Sequence, residues 1–140
     1  MATQSHTSSV VSHCFRLRPQ QDLKKELLYY CQMHHLHAAT VICSVGSLSK
    51  AHIRLAGGKD VVEFQGPFEI ISLNGTVSAE GIHMHISLSN FEGTVIGGHL
   101  MDGCLIHTTA EIILLENTEL TFAREQDGHT GYKELVVKNK

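Results

Sequence analysis

Residues 81–111, GIHMHISLSNFEGTVIGGHLMDGCLIHTTAE, hold the reading on which the fold of this chain turns. Successive side chains on a strand point to opposite faces, so His83 and His85 share one face while Met84 and Ile86 take the other. Asn90-Phe91-Glu92-Gly93 reads as a hairpin turn, because Asn tolerates turn geometry, Gly93 supplies a positive φ and apolar β-type residues flank both. Thr94 to Leu100 is then the return strand, and two registers are open. If Leu88 pairs with Thr94, His83 stands opposite His99; if a bulged loop pairs Asn90 with Thr94, His85 does. Either register gathers all three histidines on one face, whereas a shift of one residue sends His99 to the other. Gly97 and Gly98 leave the space beside them uncrowded.

Three neutral imidazoles converging on one face suit Zn²⁺ or another borderline divalent metal, and three protein ligands with an open position is the catalytic pattern. A structural zinc site wants a fourth ligand, for which Cys104 and His107 are near in sequence but not at a demanding spacing. The alternative is a half-buried hairpin whose histidines hydrogen-bond one another or water.

Working outward, 140 residues with an apolar fraction of 42% fit one globular domain. Residues 1–11 read as a disordered tail, polar and without the apolar core of a secretory signal, and residues 12–138 as the single domain. No apolar run approaches the roughly 18 residues of a membrane span, so no membrane role is expected. Cys14, Cys31, Cys43 and Cys104 lie scattered among apolar neighbours, which suits reduced thiols in the cytoplasm or nucleus. A net charge of −3 excludes a chain whose main business is neutralising phosphates.

Ser12 to Leu17 reads as a first strand, ended by Arg18-Pro19. From Gln20 to His35 the apolar residues Leu23, Leu27, Leu28 and Cys31 recur at helical steps, with Lys24, Lys25 and Gln32 outside. Pro19 fits a first turn and Asp22 complements the helix dipole. His34, His35 and His37 are explained by helix termination. Ala38 to Val45 is an apolar strand that Gly46-Ser47 is expected to break, and Ala51 to Ala56 a second one, carrying Arg54 as its only charge. Val61 to Phe64, Phe68 to Leu73 and Thr76 to Ala79 follow as strands, separated by turns at Gly66-Pro67 and Asn74-Gly75. Cys104 to Leu115 is a long strand with His107, Thr109, Glu111 and Ile113 on one face. Glu111 is a carboxylate in a nearly uncharged run and needs a partner, either Arg54 or the histidines. Leu120 to Arg124 and Tyr132 to Val137 close the sheet. About nine strands against one helix give the α+β class, a mostly antiparallel sheet wrapped on a single helix.

Val45-Gly46-Ser47-Leu48, Ala51-His52-Ile53-Arg54, His83-Met84-His85, Gly97-Gly98-His99-Leu100 and Thr109-Ala110-Glu111 together resemble the plants-and-prokaryotes conserved (PPC) domain, the module of plant AT-hook nuclear-localised proteins and of single-domain prokaryotic homologues. The resemblance runs from about Cys14 to Val137. It implies a compact α+β domain assembled as a homotrimer, with a metal site at His83, His85 and His99. Plant members use a Gly-Arg-Phe-Glu-Ile-Leu segment for partner contact; Gly66-Pro67-Phe68-Glu69-Ile70-Ile71 departs from it by Pro for Arg and Ile for Leu. The Arg-Gly-Arg-Pro hook that enters the A·T minor groove is absent from this sequence.

The expected function is therefore a trimeric, zinc-type metal-binding protein with a hydrolytic role for the ion, Glu111 or Glu80 moving the proton. The alternative is a non-catalytic trimeric interaction or transcription-related scaffold module with a protein partner. Direct DNA binding ranks last, for want of a basic patch.

Overall fold

The computed structural model describes residues 3–140, so the first two residues of the expected tail lie outside the described residues. Eight strands and one helix run in the order β1 (Val10–Leu17), α1 (Leu23–Met33), β2 (Ala39–Arg54), β3 (Val61–Ser78), β4 (Gly81–Ser89), β5 (Val95–Leu100), β6 (Leu105–Asn117), β7 (Leu120–Gln126) and β8 (Lys133–Asn139). All strand pairings are antiparallel, which gives the α+β class expected. Six strands form one sheet in the order β1-β6-β2-β3-β4-β5, and the end of β2 also pairs with β5. That extra pairing turns β2, β3, β4 and β5 into a closed ring.

Helix α1 is shorter than its periodicity suggests. Asp22, not Pro19, starts it: the Asp22 carboxylate accepts the backbone N–H groups of Lys24 and Lys25 at 3.1 and 3.2 Å, satisfying two of the orphan donors of the first turn. Its other oxygen accepts the Gly103 N–H at 2.7 Å and so ties the helix start to the loop before β6. At the far end His35 takes a positive φ of 53° and the chain turns away. The buried stripe Leu23, Leu27 and Cys31 lies in one core with Ile53, Met84, Leu88, Leu100, Ile106 and Leu114.

Three expected breaks are not breaks. Gly46-Ser47 lies inside β2, while Gly66-Pro67, joined by a cis peptide bond, and Asn74-Gly75 lie inside β3. At Gly46 a Cβ would stand 2.0 Å from the Thr109 carbonyl oxygen, and at Gly75 it would stand 2.1 Å from that of His83. These glycines admit a neighbouring strand at close range; they do not reverse the chain. Two further expectations are corrected at the ends. β1 begins at Val10, within the expected tail, and the Ser9 N–H donates to the Glu119 carboxylate at 2.8 Å. β7 and β8 form a separate two-stranded sheet and do not close the main one; the Phe122 N–H bonds the His37 carbonyl at 2.9 Å and holds that hairpin against the body.

Candidate metal centre

The hairpin β4–β5 sets the histidines. Asn90 and Thr94 close the loop, with the Asn90 N–H donating to the Thr94 carbonyl at 3.0 Å and the Asn90 side chain accepting the Glu92 and Thr94 N–H groups at 3.0 Å each. Of the two open registers this is the bulged one, and it stands His85 directly opposite His99. Met84, Ile86 and Leu88 turn inward and are buried, so the alternation leaves His83 and His85 on the outer face.

The rings of His83, His85 and His99 lie with centroids 5.1 to 5.7 Å apart, and one nitrogen of each is within 4.8 Å of the others. On an ion with ordinary Zn–N lengths of about 2.0–2.1 Å, two tetrahedral ligand nitrogens stand about 3.3 Å apart. Small side-chain rotations would suffice to bring the three nitrogens onto one ion, and the neutral imidazole donor set fits a borderline divalent metal. Burial, then the Arg54 guanidinium and the neighbouring histidines, Lys24 among the further cations, hold His99 down to about 4. Burial, then Arg124, His85 and Arg54, lower His83 against an opposing pull from Glu134. Both are therefore neutral, with lone pairs available, near pH 7.

Arg54 arrives from β2. It pairs in register with both Val61 and His99, and its guanidinium donates to His99 Nδ1 at 3.3 Å. Arg124, from β7, donates to Thr76 Oγ1 at 2.8 Å, and Thr76 pairs with His83 across β3–β4. The cleft around the histidines is lined on one side by Asn74, Ser72 and Gly97, and on the other by Tyr132, Lys133 and Glu134 of the C-terminal hairpin.

Glu111 is not brought there within the chain. It is exposed on β6, in register with Arg16 of β1 and Val45 of β2, and among the described residues it pairs neither with Arg54 nor with a histidine. The pairing along β2 explains this: β6 sets Glu111 opposite Val45, nine positions along that strand from Arg54, where β2 meets β5 and His99. Cys104 is buried and donates to the His52 carbonyl at 3.3 Å, and His107 is exposed near the start of β6 and is not among the clustered histidines, so neither supplies a fourth ligand. The carboxylate that does line the cleft is Glu134. Sequence reasoning missed Glu134 and Arg124, because nothing local links the last hairpin to residues 83–99; Arg54 carried a signal, as the only charge in an apolar strand.

Residues 4–118 match the Plants and Prokaryotes Conserved (PCC) domain family. The chain is 41% identical over 132 residues to a bifunctional protein GlmU of Synechococcus sp. (strain JA-3-3Ab), covering 94% of this chain and 21% of that protein. It therefore spans about a fifth of the length of that curated relative. Among solved structures, a hypothetical protein from Salmonella cholerae-suis superposes with a TM-score of 0.95 at 35% identity, covering 98% of this chain and 99% of that one. A metal-containing protein from Archaeoglobus fulgidus shares the fold, with a TM-score of 0.78 at 24% identity over 96% and 99% of the two chains. With its sheet order, its single helix and its histidine hairpin in place, the chain belongs to the Plants and Prokaryotes Conserved domain family.

Proposed function

We propose that this chain is a metal-binding protein whose His83, His85 and His99 hold a divalent ion, zinc by the softness and number of the donors. The observation that carries the reading is the convergence of three ring nitrogens within 4.8 Å of one another. The metal-containing relative from Archaeoglobus fulgidus, with the same fold, supports it. When bound, such an ion supplies Lewis acidity toward an oxygen ligand. The chain's own residues do the rest: Arg54 orients His99, and Glu134 offers a carboxylate in the cleft where Glu111 was expected. Hydrolysis is the reaction class this arrangement favours, and Glu134 is the group suited to hold a proton there.

The test is the metal content of protein purified without a histidine tag. About one ion per chain, lost in both His83→Ala and His99→Ala, is the expected result. A native chain that is metal-free and takes up none on titration with zinc refutes the reading.

A second reading, a trimeric interaction module, has its own support. Ile42, Val45 and Ile71 are each more than half exposed on the long strands β2 and β3, as are Val10 on β1 and Val95 on β5. Apolar strand residues in that number are an unusual outlay for a free surface and fit burial against further copies of the chain. A solution mass near three times 15.4 kDa is the expected outcome of sedimentation equilibrium. A reducing compartment, cytoplasm or nucleus, fits the four free cysteines. No described helix is long and apolar enough to cross a membrane.

A further inference from the structure

We propose that the histidine cleft takes a small molecule through its carboxylate or phosphate group, gripped by Arg54 from one side and Arg124 from the other. The inference deepens the metal reading and rests on it for the place of the ligand. Two guanidiniums border the three imidazoles: Arg54 donates to His99 Nδ1 at 3.3 Å and Arg124 to Thr76 Oγ1 at 2.8 Å. Among the described residues neither has a carboxylate within ion-pair distance. Each engages a neutral partner with part of its five-donor fork and keeps donors free. A guanidinium is the group suited to planar, two-point recognition of carboxylate and phosphate.

The charge around the cleft points the same way. Arg54, Arg124 and Lys133 stand against Glu134 alone, and the side of the cleft that holds all four encloses about 390 Å³, room for a small metabolite and not for a macromolecule. Glu134 Oε1 accepts from Thr130 Oγ1 at 2.8 Å, and its single negative charge leaves the cleft with an excess of cations. Cations that outnumber the carboxylates of a cleft raise the local concentration of anions. A divalent ion on the histidines adds positive charge and strengthens the same preference. Arg124, Lys133 and Glu134 belong to the hairpin beyond residues 4–118, the part that matches the family. The hairpin therefore supplies half of the grip, and selectivity among anions resides there.

The experiment is calorimetric titration of the full chain, metal-loaded and metal-free, with inorganic phosphate and with lactate as phosphate and carboxylate probes. Metal content is measured on every sample. Arg54→Gln, Arg124→Gln and Lys25→Gln are compared, the last on the outer side of α1, and Arg124→Lys tests whether a point charge replaces the fork. Saturable binding of either probe, weakened tenfold or more by Arg54→Gln and Arg124→Gln, unchanged by Lys25→Gln and only partly recovered by Arg124→Lys, is the expected result. Equal binding by the arginine variants and the native chain overturns the proposal, as does no binding of either probe at roughly 10 mM. If the native chain takes no metal, the metal reading fails by its own measurement. The metal-free titrations of the same variants then decide the arginine grip separately.

Discussion

Gly75→Ala is the perturbation that best separates this structure from the sequence reading of Asn74-Gly75 as a hairpin turn. Gly75 sits inside β3 opposite Met84, at φ 152°, and its carbonyl accepts from Thr40 Oγ1 at 2.8 Å. A Cβ there would stand 2.1 Å from the His83 carbonyl oxygen, against 3.4 Å for the start of ordinary contact, so β3 and β4 must part by about 1.3 Å. Both near atoms, His83 O and Met84 Cα, are backbone, and no side-chain rotation relieves the clash. Overpacking costs about 1–3 kcal/mol and the φ about 1–2 more, a total of about 3 kcal/mol. At about 3 °C per kcal/mol for a chain of this length, the melting temperature falls by roughly 10 °C. The same displacement moves His83, so the zinc affinity proposed for the site should fall too. Thermal unfolding by circular dichroism and competition with a zinc chelator read the two effects, with Gly81→Ala as control, since its Cβ meets nothing within 4 Å. A Gly75→Ala chain melting within about 3 °C of the native one refutes the strand assignment and with it the placing of His83.

Other outcomes follow from the site and the core. His99 and His83 are depressed in the fold, so between about pH 4 and their ordinary 6.5 the unfolded chain binds more protons than the native one. Metal-free protein should keep this contribution above about pH 6.5 and lose it as the pH falls through that window; urea midpoints unchanged between pH 7 and pH 5 contradict it. Arg54→Gln removes the guanidinium beside His99 and should raise the His99 titration midpoint, followed by the imidazole C–H resonance, with the part due to burial persisting. Burial pushes the Cys31 thiol up to about 12 and the Cys104 thiol up to about 11, while Cys14 is exposed. A disulfide reagent at pH 8 should therefore modify Cys14 promptly and leave Cys31 and Cys104 until urea unfolds the chain. Prompt reaction at Cys104 would place it outside the core.

How much of this was legible beforehand depends on the range of each signal. His-Met-His followed by a loop and Gly-Gly-His carries its geometry locally: a period of two, a turn residue and one register choice bring three rings together. The two long strands were legible only in pieces, because Gly46, Gly66-Pro67 and Asn74-Gly75 have turn chemistry, and only the passing strand shows that glycine serves close approach instead. The surroundings of Glu111 were illegible for a related reason. Its carboxylate is exposed and needs no partner, and whether β6 brings it near Arg54 is a matter of strand pairing, which no window of sequence contains. Arg124 and Glu134 reach the cleft only through the docking of the last hairpin.

The pairing of β2 with β5 rests on two residue pairs, Ile53 with Leu100 and Arg54 with His99. It is the short seam of a four-strand ring whose other joints run along whole strands. An anion that engages Arg54, on β2, together with an ion held by His99, on β5, would bridge that seam. Occupancy of the cleft then governs how often the ring gapes, and hydrogen exchange at Ile53 and Leu100 becomes a gauge of what the cleft holds.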